Sequence, residues 1–308
     1  MMKLESIVVG KGTPYPLRGL LTLPDDVAKP VPAVVFVHGS GASNMDEKVG
    51  ELTPFKDLAE GLAAHGIASV RYDKRSFAYG RKMLKEKNIT VKEETIEDAV
   101  RATQLLRKDA RIDRNRIFIV GHSMGAMLAP RIDAQGGNYC GLILMAGSPY
   151  KLEEIMLRQN EQAVSGLNKL LQMIAGRQIK KLQKTFDGLY ELSDEEAKKR
   201  KFAGGTTLYY FKEMGEHAAP GYLKRLQKPL LILQGEKDFQ ATAAEDFAGY
   251  QTLLEGRDNV SVKLYPGLNH AFVPALSDDI NKARKEYATE RHIGEEVIGD
   301  IARWILEN

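Results

Sequence analysis

A serine, a carboxylate and a histidine, each just past an apolar run and in that chain order, are the residues here whose types and spacing could do chemistry together. The serine is Ser123, in Gly121-His122-Ser123-Met124-Gly125. A serine hydroxyl is a poor nucleophile until a base takes its proton; the usual base is a histidine whose tautomer a carboxylate fixes. Of the six histidines, His38, His65 and His122 precede Ser123, and His217 precedes any suitable acid. His270 remains, in Pro266-Gly267-Leu268-Asn269-His270, with His292 second because it opens a helix beside Arg291 and Glu290. For the acid, Asp238 lies just past Gly235 in Gln234-Gly235-Glu236-Lys237-Asp238, and Glu236 stands second; Asp246 and Asp258 lie too far along. The chemistry of such a trio is acyl transfer through a serine ester. Its tetrahedral oxyanion needs two N–H donors, read as Met124, after the serine, and Ser40, in His38-Gly39-Ser40-Gly41. The bland readings are a glycine-rich turn with an incidental serine, an aspartate capping the next helix, and a loop histidine bonded to its own backbone.

The elements that must position these residues are visible as periodic runs. Ile117-Phe118-Ile119-Val120 feeds Ser123, and Ala126-Met127-Leu128-Ala129 follows it, so a strand enters a helix through a tight, strained turn. Gly121 and Gly125 stand where a Cβ would clash. Residues 3–9 and 17–23 read as an antiparallel hairpin at a sheet edge. Runs at 33–37, 66–72, 141–146, 229–235 and 260–265 read as further strands, most of them apolar throughout, as in strands buried on both faces. Helices are expected at 54–65, 93–108 and 293–306, and a polar loop at 76–92. The alternation implies a doubly wound, mostly parallel sheet whose ligands sit at the carboxyl ends of the strands. From 148 to 228 the rhythm breaks into helix-like sequence at 152–184 and 194–201. A stretch with Tyr209, Tyr210, Phe211, Met214 and Tyr222 follows. The expected organisation is a core at 1–147, an inserted helical cap at 148–228, and the rest of the core at 229–308, with the aromatic cap residues lining the pocket.

Composition narrows the function classes. The 308 residues suit one large α/β domain, or one with an insertion, and a net charge of +3 from mixed acids and bases marks no nucleic-acid surface. Lys180, Lys181, Lys184, Lys198, Lys199, Arg200 and Lys201 are offset by Asp187, Glu191, Asp194, Glu195 and Glu196. They read as a solvated helix face, with a coenzyme A phosphate as the sharper alternative. The one cysteine, Cys140, leaves no partner for an intramolecular disulfide, suits a reducing compartment, and reads as a buried strand-edge residue. The N-terminal Met1-Met2-Lys3-Leu4-Glu5 has no apolar leader pattern, and no run approaches the roughly 18 apolar residues a span needs. A cytoplasmic chain with no membrane contact is expected.

With these residues in hand, the chain resembles the α/β-hydrolase superfamily. The resemblance covers nearly everything outside 148–228 and rests on His38-Gly39-Ser40-Gly41, Arg71-Tyr72-Asp73-Lys74-Arg75, Gly121-His122-Ser123-Met124-Gly125, Gln234-Gly235-Glu236-Lys237-Asp238 and Asn269-His270. Together these are similar to bacterial serine esterases of the branch related to dienelactone hydrolases and feruloyl (cinnamoyl) esterases. The resemblance implies the α/β-hydrolase fold, Ser123 as nucleophile, Asp238 as acid, His270 as base, and Ser40 and Met124 as oxyanion donors. It also implies a structural role for Tyr72-Asp73-Lys74-Arg75. Ser76 departs from a common glycine, and Ala241 from a common branched apolar residue. Dienelactone hydrolases proper carry a cysteine where Ser123 stands, which argues against that activity.

The expected function is a carboxylesterase acting on small acyl or aryl esters, with no cofactor and no metal. The expected partner is a small-molecule ester, and a homodimer is left open. The same trio would also serve an acyl-CoA thioesterase or acyltransferase, or a serine peptidase, for which a carboxylate-lined cap would hold a free amine. A non-catalytic small-molecule receptor is the third reading.

Overall fold

Eight apolar runs pair into one sheet in the computed structural model, which describes residues 2–25, 27–86 and 88–308. Met1, at the head of the N-terminal stretch read above, and Lys87, inside the stretch read as a loop, lie outside the described residues. The strands are β1 (Met2–Val9), β2 (Leu17–Pro24), β3 (Val31–Val37), β4 (Ala68–Tyr72), β5 (Ile112–His122), β6 (Leu142–Met145), β7 (Leu230–Gly235) and β8 (Val260–Tyr265). They lie in the order β1-β2-β4-β3-β5-β6-β7-β8. The first two form the expected hairpin, and β2 also meets β4 antiparallel. All later pairings, from β4 through β8, are parallel. β6 and β7 are buried at every position, and β3 at all but its first. That is why they read as unbroken apolar runs, whereas edge strand β1 mixes exposed and covered positions.

Among the described residues the α-helices are α1 (Pro54–Ala64), α2 (Arg75–Met83), α3 (Glu97–Lys108), α4 (Met124–Ile132), α5 (Leu152–Ser165), α6 (Lys169–Phe186), α7 (Asp194–Lys199), α8 (Leu208–Glu216), α9 (Ala219–Leu223), α10 (Ala248–Leu253), α11 (Ala283–Glu286) and α12 (Glu295–Glu307). Alternate side chains of each central strand face opposite layers. Val35, Ile119, Leu144 and Ile232 pack with residues of α3 and α4 on one face. Phe36, Val120, Ile143 and Leu233 pack with α1 and α12 on the other. Between β6 and β7 the described chain adds no sheet strand, only α5 to α9, with its own apolar cluster of Phe186, Leu189, Ala197, Leu208 and Phe211.

Three details differ from the periodic reading. The stretch 76–92 is not all loop: α2 occupies its first half. Its pattern is hidden because the helix bends at Tyr79 (φ −131, ψ 21), where the phenol OH donates to the Pro16 carbonyl at 2.7 Å. The helical run 152–184 breaks after Ser165, and Asn168 caps α6 by accepting from the Leu171 N–H at 3.0 Å. Cys140 is half-buried rather than buried, and lies just before β6 as expected. No described helix is long and apolar enough to cross a membrane.

Candidate active site

β5 ends in a turn that only this sequence allows. Ser123 sits at φ 54, ψ −118, a left-hand-side backbone that strains any non-glycine residue. A Cβ on Gly121 would stand 2.3 Å from the Gly125 carbonyl oxygen, and one on Gly125 would stand 2.1 Å from that of Val37. The strained serine is held from both sides. Its N–H donates to Met145 O at 2.9 Å, and its carbonyl accepts from Ala126 and Met127 N–H at 3.0 and 3.2 Å. Met124 opens α4, so its N–H has no acceptor inside the helix.

β7 delivers the acid. The Asp238 side chain is fully buried. Its Oδ1 accepts from the N–H groups of Gln240 and Ala241 at 2.7 and 3.0 Å. Its Oδ2 accepts from Gln234 Nε2 at 2.9 Å and His270 Nδ1 at 2.7 Å. The bond to Asp238 places the proton of neutral His270 on Nδ1, leaving Nε2 as the basic nitrogen. The His270 loop is pinned by Asn269. Its Oδ1 accepts from Ala271 N–H at 2.9 Å, and its Nδ2 donates to Glu286 Oε1 at 2.6 Å.

Ser123, His270, Ser40 and Met124 line one cavity of about 770 Å³, with Asp238 buried behind the histidine. The structure does not bring the runners-up there. Glu236 accepts from the Gly267 N–H at 3.0 Å, and His292 is exposed with Nδ1 3.0 Å from Asp57 Oδ1. Of the aromatic residues expected at the pocket, Tyr210 and Phe211 line it, joined by Phe202; Tyr209 and Tyr222 do not. None of the seven basic positions between 180 and 201 lines it either.

Sequence reasoning missed Glu47, which lies in an irregular loop with no periodic signal. Glu47 is buried at φ 52, and its Oε1 accepts from the Gly39 N–H at 2.6 Å. Its Oε2 lies 3.0 Å from His122 Nδ1, while His122 Nε2 donates to the His270 carbonyl at 2.8 Å. Both ring nitrogens of His122 thus face oxygen acceptors, the environment of an imidazolium. Burial opposes charge on both partners, but each outweighs that penalty for the other: His122 is pushed above its usual value and Glu47 below its own. His38 is different: burial pushes its pKa down to about 4, and Nε2 donates to the Asn44 carbonyl at 3.0 Å.

Lys74 carries a second unforeseen contact. Its Nζ donates to the Gly39 carbonyl at 2.8 Å and lies 3.5 Å from Glu94 Oε1. Burial pushes its pKa down, with Glu94 opposing. Its neighbours are structural ties. Arg75 forks onto Asp98 at 2.7 and 2.9 Å, and Asp73 Oδ1 accepts from the Met45 N–H at 2.9 Å.

Comparison with known proteins identifies the family and the fold. The family described as serine aminopeptidase, S33, matches residues 28–274. Esterase EstD of Thermotoga maritima is 34% identical over 292 residues. That match covers 94% of this chain but 66% of EstD, so the chain spans just under two-thirds of that relative. Among solved structures, Est1E from Butyrivibrio proteoclasticus has a TM-score of 0.58 at 14% identity, covering 98% of this chain and 99% of that one. The dienelactone hydrolase from Anabaena variabilis has a TM-score of 0.55 at 15% identity, covering 99% and 98%. At such identity the two structures share the fold.

Proposed function

Because the chain belongs to the S33 serine aminopeptidase family, within the α/β-hydrolases, we propose that it is a serine hydrolase that cleaves carboxylic esters through an acyl-enzyme on Ser123. The observation that carries this reading is the 2.7 Å bond from His270 Nδ1 to a fully buried Asp238, with His270 on the same cavity wall as the strained Ser123. In the proposed cycle Ser123 Oγ attacks the ester carbonyl and its proton passes to His270 Nε2. The N–H groups of Ser40 and Met124 receive the developing oxyanion, worth about 10²–10³ in rate per donor. His270 returns the proton to the departing alcohol, takes one from the water that attacks the acyl-enzyme, and gives it to Ser123 Oγ as the acyl–oxygen bond breaks and the acid leaves. Asp238 keeps the imidazole in its tautomer and faces the imidazolium that forms.

The lining favours an apolar acyl or aryl group. Met83, Leu84 and Ile89 approach from one side, and Leu152, Ile155 and Met156 from α5. We take residues 148–228 as a cap on this basis, since α5 and α8 and the loop between Phe202 and Thr207 wall the cavity that holds Ser123. A free-amine substrate would need an uncommitted carboxylate. Of the three carboxylates among the described lining residues, Glu47 is engaged by Gly39 and His122 and Glu94 by Lys74 and the Tyr210 OH, whereas the exposed Glu86 carboxylate is uncommitted. A coenzyme A tail would need cations at the cavity, and Lys48 is the one lysine or arginine among its described lining residues, the His122 imidazole being paired with Glu47. The scarcity of cations supports esters over thioesters, and Glu86 supports a free-amine peptide as the second reading.

The test is a panel of p-nitrophenyl acetate, butyrate and octanoate, a phenolic ester, an acyl-CoA and an amino-acid anilide, run on wild type and Ser123→Ala. Turnover of esters above the others, lost in Ser123→Ala, is expected. Faster turnover of the anilide or the thioester, or ester turnover that survives Ser123→Ala, would overturn the proposal.

A further inference from the structure

The Tyr72-Asp73-Lys74-Arg75 motif holds a residue that structure-keeping alone does not explain. Asp73 and Arg75 tie loops and helices together, but the Lys74 side chain, 2% exposed, runs inward to the loop that carries Ser40. Its acceptor is the Gly39 carbonyl. That carbonyl and the Ser40 N–H belong to one planar peptide unit. Fixing the oxygen at 2.8 Å therefore fixes the direction of the N–H on the opposite side. The same glycine is gripped through its other peptide, whose N–H donates to Glu47 at 2.6 Å. Gly39 tolerates this crowding because it has no Cβ; one would lie 3.1 Å from the Ser123 Cβ and 3.3 Å from Glu47 Oε1.

We propose that Lys74 is a positioning residue of the oxyanion hole, aiming and polarising the Ser40 N–H through the Gly39 carbonyl. The inference rests on the Ser123 mechanism above and deepens it. A donor on the carbonyl draws electron density out of the amide, so the N–H becomes a stronger donor to a developing oxyanion: the chain Nζ–H to carbonyl oxygen, then N–H to oxyanion, is cooperative. Glu94 Oε1 sits behind Lys74 at 3.5 Å and holds the side chain in place. The Tyr210 OH, from α8, donates to Glu94 Oε2 at 2.7 Å and lies 3.8 Å from Met124 Sδ. Tyr210 thereby touches the supports of both oxyanion donors, and ties them to the inserted helices.

The experiment is the rate of labelling by a fluorophosphonate, whose phosphoryl oxygen occupies the oxyanion hole and which needs no substrate recognition. Wild type, Lys74→Met and the double variant Lys74→Met/Glu94→Gln are compared, the double removing the carboxylate that the single leaves unpaired. In both variants the maximal labelling rate is expected to fall about 10- to 100-fold, up to the loss of one oxyanion donor. The half-saturating concentration should stay within about twofold, because Lys74 does not line the cavity and Glu94→Gln keeps the shape of the side chain that does. A folded variant labelled at Ser123 as fast as wild type overturns the inference, as does a loss confined to half-saturation. Wild type that labels at Ser123 but turns over no ester removes the esterase reading and leaves this inference standing if the variants slow. Wild type that does not label removes both.

Discussion

Replacing Glu47 by Gln keeps an oxygen for the Gly39 N–H and removes the charge that faces His122. At the observed 3.0 Å, the attraction between unit charges is about 5 kcal/mol at an effective dielectric near 20. Desolvation offsets part of it, and breaking one partner of a buried pair costs roughly 3–5 kcal/mol. With an unfolding entropy of about 2.1 cal/mol/K per residue, 308 residues give about 0.65 kcal/mol/K, so Tm should fall by roughly 5–8 °C. The loss has a definite pH signature. His122 is raised above 6.5 in the fold, so its contribution is complete below 6.5 and fades as pH rises through the raised value. Glu47 is lowered below 4.5, so its contribution is complete above 4.5 and fades as pH falls through the lowered value. The windows overlap between 4.5 and 6.5, where the gap between wild type and Glu47→Gln should be widest. It should narrow as pH rises through the raised His122 value, above which neutral His122 can accept from the glutamine amide. Scanning calorimetry of both proteins in buffers from acid to alkaline reads this directly. A gap that is flat with pH, or that widens on the alkaline side, would refute the charged pair.

Three further outcomes are expected. Asp238→Asn should lower kcat/KM by about 10⁴, because an amide nitrogen facing His270 Nδ1 favours the wrong tautomer, and ester hydrolysis kinetics will show it. Gly125→Ala should destabilise the fold by roughly 3 kcal/mol or more, read as a shifted urea midpoint, since its Cβ would lie 2.1 Å from the Val37 carbonyl oxygen and backbone must move. Met156→Trp should fill the α5 side of the cavity, lowering kcat/KM for the octanoate ester by at least about 10-fold while acetate changes by less than about twofold.

What could be read from the chain was what local sequence determines. The runs that became β3, β5, β6 and β7 are apolar because both faces are buried, and β3, β5 and β7 each lead to a site residue, Ser40, Ser123 and Asp238, just past their carboxyl ends, so strand and site were found together. The glycines of the elbow announced a close approach that the coordinates confirm atom by atom. Helix α2 escaped because a bend at Tyr79 disrupts the period that would reveal it, and it supplies Gly80 and Met83 to the cavity wall. Glu47 escaped for a deeper reason. Its partners are Gly39 and His122, one eight residues away and the other on a different strand, so no spacing within the chain could have paired them.

That difference separates the residues proposed to react from the residues that hold them. Ser123, Asp238 and His270 are each presented by the end of one strand, and a strand is a local object. Gly39 is held by Glu47 on its N–H and by Lys74 on its carbonyl, two side chains from different segments. The Glu47 grip continues through His122 to the His270 carbonyl, so one chain of contacts joins the oxyanion loop, the elbow and the base loop. The Lys74 grip continues through Glu94 to Tyr210 on α8. An oxyanion hole made of backbone has no side chain of its own to set its geometry. In the proposed site two buried charged groups converge on one glycine to do so, one leading to the loop of His270 and the other to the helices over the pocket.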